Sequence, residues 1–373
     1  MIKESLRRLL LTLCLIAVAG ISYAQKLAWN VNFDAFFDNR EYPYAHARSQ
    51  TLIGARLAPE IGIAIGPDSL SSRIMAGASW IQPMDGRNPQ VVPTLYYRFL
   101  SKHFNMSFGL FPRTHLFENA PAVFQFDSLT YYRPNLAGVL LQYHDRKGFA
   151  ELLLDWRQIQ TTRIREAFMV MFNGRWDVCS EFFFGGRVMM NHLARSRNAD
   201  NTETVTDDLA ISPYVGLNLT RITGLDTLTL KVGYHQALER ERAFGGFKYP
   251  GGILIDLMAE WRFLGLKNTF YYGENLMPFY RIHDTETGGV RPGLGTQLNM
   301  GDPFFQSRLY DRLDIYGYIF RTCYVNCMAS INFHFTPGKV NLQQQLIVRA
   351  YFDEDMWKDR RNLKTRQKLK TIL

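Results

Sequence analysis

Segment after segment of this chain alternates strictly between apolar and polar residues, with no helical periodicity between one such segment and the next. The first shows the form: Leu27, Trp29, Val31, Phe33 and Ala35 fall on one face, Asn30, Asn32 and Asp34 on the other. Side chains on a strand point to opposite faces with period two, so each segment has an apolar wall and a polar wall. About sixteen such segments in one unbroken series are more than a soluble sandwich readily accommodates. The alternative is a closed barrel whose apolar wall meets lipid and whose polar wall lines a lumen. Closure leaves no strand edge with unsatisfied backbone groups inside a membrane.

Strands are expected at 26–38, 50–64, 70–82, 91–100, 103–112, 135–144, 148–157, 162–173, 176–191, 208–220, 226–237, 252–263, 267–275, 305–320, 324–335 and 339–352. The two walls separate well: Ala150, Leu152, Leu154 and Trp156 oppose Glu151, Asp155 and Arg157. A one-residue slip would exchange the walls, so the register is strongly specified. Connection lengths give a second, independent signal. Long connections at 39–49, 83–90, 113–134, 192–207, 238–251 and 276–304 mostly alternate with short ones, such as 101–102, 145–147, 173–175 and 264–266. That rhythm fits an all-β transmembrane antiparallel barrel of about sixteen strands, with short periplasmic turns and long outer loops.

The termini read differently from the middle. Residues 1–24 carry the marks of a signal peptide: Lys3, Arg7 and Arg8, then an apolar run over 9–20, then the small residues Ser22 and Ala24. That run is too short for the ~20 residues of a spanning helix. Residues 25–353 form the expected barrel, and 354–373 a basic periplasmic tail. Within 357–373, Lys358, Arg360, Arg361, Lys364, Arg366, Lys368 and Lys370 face a single acid, Asp359, so that segment carries +6 of the net charge of +9. The basic balance therefore does not indicate a nucleic-acid groove. Cys323 and Cys327 on one strand would stand roughly 13 Å apart, beyond the ~7 Å reach of a disulfide.

Four phrases carry a resemblance: Phe37-Asp38-Asn39-Arg40-Glu41-Tyr42, Leu57-Ala58-Pro59-Glu60-Ile61-Gly62, Phe108-Gly109-Leu110-Phe111-Pro112-Arg113 and Tyr131-Tyr132-Arg133-Pro134-Asn135. They resemble recurring segments of porin-like outer-membrane barrels of Gram-negative bacteria, over most of the chain after residue 24. The resemblance implies fold and location, and no substrate. One departure is that Phe352 closes the last strand and a basic tail follows, where such barrels often end on an aromatic residue.

If the lumen is open, charges on the polar wall set its selectivity. The alternation places Arg56, Glu60, Arg73, Arg98, Glu151, Asp155 and Arg157 inward on the first seven strands. Further along it places Arg187, Glu260, Arg262, Arg308, Arg312 and Asp314 inward. The modest excess of bases predicts a weakly anion-preferring channel for passive diffusion of small hydrophilic solutes. The competing role for these charges is pairing across neighbouring strands. Loop 113–134 is the candidate constriction, through Arg113, His115, Glu118, Asp127 and Arg133, and its many large apolar residues call for a packing partner.

No GxSxG, HExxH or phosphate-cradling glycine loop occurs, so the chain is not expected to be an enzyme. No cofactor is expected, and His283, Asp284 and Glu286 lack the spacing of a metal site. The expected partners are outer-membrane lipid and small solutes, with no nucleic acid. Homo-oligomerisation and a peptidoglycan or periplasmic contact through the tail are open. Two alternatives stand beside the channel. One is a closed-lumen barrel that binds a ligand or surface partner through its outer loops. The other is an outer-membrane lipid-modifying enzyme using a rim histidine, with His144, His235 and His334 as candidates.

Overall fold

A computed structural model describes residues 25–44, 47–67, 70–198, 204–242, 246–283, 290–292 and 298–354. The segment 1–24, expected to be a signal peptide, and residues 355–373 of the expected tail lie outside the described residues, as do Asp284 and Glu286. Strands β1 (Gln25–Glu41), β2 (Gln50–Ile65), β3 (Leu70–Pro83), β4 (Gln90–Ser101), β5 (Phe104–Pro112) and β6 (Asn135–His144) open the chain. They are followed by β7 (Gly148–Gln158), β8 (Ala167–Asp177), β9 (Phe182–Leu193), β10 (Thr206–Asn218), β11 (Thr227–Glu241), β12 (Gly251–Trp261) and β13 (Leu264–Gly273). A small separate ribbon, β14 (Arg281–His283) and β15 (Val290–Pro292), precedes β16 (Leu309–Arg321), β17 (Val325–Thr336) and β18 (Lys339–Asp353).

Apart from the ribbon, every strand pairs antiparallel with its neighbours in chain order, and β18 returns to β1 to close a sixteen-stranded barrel. Its burial is inverted relative to a soluble protein. On β1 the apolar Leu27, Phe33 and Phe37 are 64%, 37% and 39% exposed, while Asp34 and Asp38 are buried. The same inversion holds along β9, where Phe184 and Val188 are exposed and Arg187 and Asn191 buried. Such a surface is stable only against lipid, which makes this a transmembrane barrel.

Two turns differ from the sequence expectation. Asn173-Gly174-Arg175 has turn composition, yet β8 runs through it, because Gly174 pairs with Ala150 and Gly186 in the ladder. The turn follows at 178–181, where the Val178 amide donates to the Phe182 carbonyl. Likewise β13 begins at Leu264, and the chain reverses at Arg262, whose φ of 54° is left-handed.

The lumen is filled at its loop end. The connection 113–134 opens with a 3-10 turn (Arg113–His115) and ends in a short helix (Leu129–Tyr132). On one side Gln142 of β6 donates to the His115 carbonyl, and Glu151 of β7 accepts from the Phe117 amide. On the other side Asp127 accepts from Arg312 of β16, Tyr131 from Gln345 of β18, and Phe36 of β1 stacks on Tyr131 at 4.2 Å. The segment therefore crosses the barrel from wall to wall. The connection after β13 packs onto it, with backbone bonds Phe126 N to Met300 O and Asp302 N to Ala122 O. Val123, Phe124, Leu129, Met300, Phe304 and Phe305 form an apolar core inside the barrel. That core is the packing partner the apolar residues of loop 113–134 require.

Candidate functional site

Most of the inward charges found from the sequence are tied to partners. Arg56 and Arg349 both donate to Asp34, and Glu60 accepts from Asn30 and Tyr96. Arg73 pairs with Glu354 at 2.8 Å. Glu151 accepts from Asn173 and Gln142, Asp155 from the Ala137 amide, and Glu260 from Tyr316 and Tyr318. Arg187 is buried over the Phe124 ring, and Arg157 also faces inward. Arg312 binds Asp314 at 2.7 Å and Asp127 at 2.9 Å. Arg98 lines a cavity of about 360 Å³ together with Arg73, Arg349 and His115. Arg262 and Arg308 are not on the polar wall: Arg262 sits in the β12–β13 turn over Trp261, and Arg308 is exposed just before β16. Both fell on the inward parity only because the expected strands were drawn too long at those ends.

Of the loop residues, Arg113 donates to the Arg133 carbonyl and to Gln125, whereas the Arg133 side chain is exposed. Glu118 and Asp127 line a second cavity, of about 490 Å³, on the turn-end side of the loop. Burial works to raise the Asp127 carboxyl, but Arg312 overrides it and holds the group well below the usual carboxylate range. Burial pushes Asp302 up to about 6, with Arg312 opposing. His115 lies 3.0 Å from the Ser107 hydroxyl, and burial holds its ring neutral. That Ser–His contact is enclosed in the lumen, where a membrane lipid does not reach it.

The three rim histidines considered from the sequence do not form a hydrolytic arrangement. His144 is at the turn end, where its carbonyl meets His103. His235 is buried against Phe124, and His334 lies between Tyr310 and Gln343.

A different histidine has the geometry. His192 of β9 stands directly opposite Asp207 of β10, with its Nδ1 donating to Asp207 Oδ1 at 2.6 Å. Among the described residues no other histidine pairs with a carboxylate. Neighbouring Asn191 and Leu193 are buried, and so are Thr206 and Asp208, so His192 and Asp207 project from the outer surface of the barrel. Their side chains are 23% and 19% exposed. They sit at the loop end of their strands, above Met190 and Leu209 and then the lipid-facing Val188 and Ile211. Phe168 of β8 packs against the His192 ring at 4.9 Å, and Trp156 of β7 against Phe168. With Nδ1 held by a carboxylate, Nε2 is the free nitrogen and is oriented to act as a base. The sequence reading missed the pair because it drew a loop over 192–207, whose two end residues these are. The signal was present: Val188, Met190 and His192 share one parity, and hairpin pairing across that loop sets His192 against Asp207.

Comparison with known proteins adds two findings. A family model described as "Lipid A 3'-O-deacylase-type" matches residues 20–282, a stretch that includes His192 and Asp207. No curated protein matches. Among solved structures, OprD of Pseudomonas aeruginosa is similar with a TM-score of 0.52 at 8% identity, covering 88% of this chain and 96% of that one. A loop L8 deletion mutant of OmpT, an outer membrane protein of Vibrio cholerae, gives 0.51 at 11% identity, covering 88% and 100%. Pseudomonas aeruginosa OpdK with vanillate gives 0.51 at 7%, covering 88% and 99%. At these identities the structures establish a shared fold and nothing about transport. The family is an enzyme family, and this overturns the expectation of a protein without enzymatic activity. The His192–Asp207 pair joins two strands across a long loop and forms none of the contiguous motifs GxSxG or HExxH.

Proposed function

The chain belongs to the lipid A 3'-O-deacylase-type family, and from that premise we propose that it is an outer-membrane hydrolase of a Gram-negative bacterium, removing an ester-linked acyl chain from an outer-leaflet glycolipid. The observation that carries the reading is the His192–Asp207 pair on the lipid-facing wall, at the loop end of the apolar belt. Residues 1–24 act as the export signal, and the long loops face outward.

An acylated lipid presents its ester where acyl chains end and headgroup begins, the level that His192 occupies. Water attacks the ester carbonyl while His192 Nε2 takes its proton. The tetrahedral intermediate then collapses, the sugar oxygen leaves with that proton, and a free fatty acid departs. Asp207 holds the imidazole in the tautomer that leaves Nε2 free and stabilises the transient imidazolium. Phe168 against the ring, and Trp156 beyond it, give the acyl chain an apolar surface.

Release of fatty acid from lipid A by the purified barrel in mixed micelles, followed by mass spectrometry, tests this. We expect wild-type release and a roughly 10²–10⁴-fold loss in His192→Ala, the range for removing a general base. Undiminished release by that variant would end the assignment of this pair.

A second reading adds passage of small hydrophilic solutes with weak anion preference. It is favoured by the two cavities of about 490 and 360 Å³ in the turn-end half of the lumen. Conductance across a planar bilayer under a salt gradient tests it: stable steps with an anion-selective reversal potential support it, and silence from inserted protein refutes it.

A further inference from the structure

The surface beside His192 contains more than the hydrolytic pair. Arg240 of β11 stands opposite Asp207 on its other side, so His192, Asp207 and Arg240 form one row across three strands. Arg240 alternates with the buried Glu239 and Glu241 and therefore projects outward, where its guanidinium lies 5.3 Å from the Phe247 ring. Arg242 follows at the strand end, with its side chain 53% exposed and Nη2 3.8 Å from Asp207 Oδ2. Below this row the same face is mostly apolar, with Ile211, Val232 and Tyr234 exposed and the Gln236 side-chain amide bonded to the Ala237 and Tyr249 carbonyls. Along the strands toward the rim the order is thus apolar belt, then His192, Asp207 and Arg240 in one row, then Arg242.

We infer that Arg240 and Arg242 bind a phosphate on the headgroup of the substrate lipid and thereby place one particular ester at His192. The inference rests on the hydrolase reading for the identity of the site. It commits to a membrane lipid as the occupant because the basic pair continues directly from the lipid-facing belt. Two guanidinium groups offer forked donors that match phosphate oxygens, and the interface between acyl chains and water is where phosphorylated headgroups lie. Strand spacing puts Arg240 about 10 Å from His192, a gap that one phosphorylated sugar bridges. Arg242 touches Asp207 only at long range, so a bound phosphate draws that guanidinium toward the ligand without disturbing the Asp207–His192 bond.

The test measures binding separately from turnover. The full barrel in detergent is titrated with micelles of a phosphorylated glycolipid and of its phosphatase-treated counterpart, for wild type, R240Q/R242Q, R240K/R242K and His192→Ala. The inference expects wild type to favour the phosphorylated lipid about tenfold or more, in line with one or two charge-assisted bonds. R240Q/R242Q should lose that preference, R240K/R242K should recover part of it, and His192→Ala should keep it in full. In turnover, R240Q/R242Q should raise KM with little change in kcat, and all variants should show the folded, heat-modifiable gel band of wild type. Equal wild-type affinity for the two lipids, a preference that survives R240Q/R242Q, or equally tight binding of inorganic phosphate alone would each overturn the inference. An Arg-dependent preference without any hydrolysis would instead overturn the hydrolase reading and leave the phosphate site standing.

Discussion

At the scale of single residues, function follows which wall a side chain occupies. His334 and His192 are both strand histidines near the loop end, but His334 is sealed in the lumen with Tyr310 and Gln343, while His192 faces lipid beside a carboxylate. Asp207→Asn should keep the shape and remove the charge that fixes the tautomer, so we expect a rate loss of roughly 10²-fold or more, measured as fatty-acid release with the folded gel band unchanged. Asp302 yields a pH prediction. Its folded value of about 6 is above the ordinary 3.8, so the folded state holds the proton more tightly than the unfolded chain. Its contribution is therefore favourable at low pH and is lost as pH rises from about 4 to about 6. Protection of the Asp302 and Phe126 amides, taken relative to the intrinsic exchange rate at each pH, should fall over that window, and Asp302→Asn should flatten the dependence. The opposite slope would refute the assignment.

At the scale of elements, loop 113–134 is a strut between opposite walls. Arg312 anchors it through Asp127, and truncating one partner of such a bond leaves a buried charge under-paired, at a cost of about 1.5–3 kcal/mol. Asp127→Asn should loosen the loop, read as faster protease nicking within 114–134 and as higher bilayer conductance than wild type. Unchanged conductance together with faster nicking would mean that the second loop, through Met300 and Phe304, blocks the lumen by itself. The length and apolar content of this loop were legible in the sequence, along with its need for a packing partner. Its route was not, because Asp127 and Arg312 are 185 residues apart and nothing local relates them. Turn placement failed where composition and ladder disagreed: Asn173-Gly174 has hairpin chemistry, but Asn173 serves Glu151 from within β8.

At the scale of the whole molecule, the barrel is an inside-out protein whose outer face carries the His192–Asp207 pair and whose lumen carries a polar network plus an apolar plug. Trp80, Trp156, Trp176 and Trp261 are all between 41% and 51% exposed on its outer wall. Reconstitution into brominated lipid should therefore quench most of the tryptophan fluorescence, whereas a water-soluble quencher added to the outside should reach little of it. The reverse pattern would place these residues in water and dismantle the membrane reading.

Period-two alternation and hairpin spacing are local properties, so the chain by itself determined strand number, the two walls and the inward place of residues such as Arg56 and Glu151. Strands consecutive along the barrel are consecutive in the chain, apart from the β14–β15 ribbon, so their pairing follows from chain order. Closure through Asp34 and Arg349, the path of loop 113–134 through the lumen, and the meeting of His192, Asp207 and Arg240 needed the tertiary structure. Each joins residues that only become neighbours once the ladder has chosen its register, and register at strand ends is where local pattern carries least information.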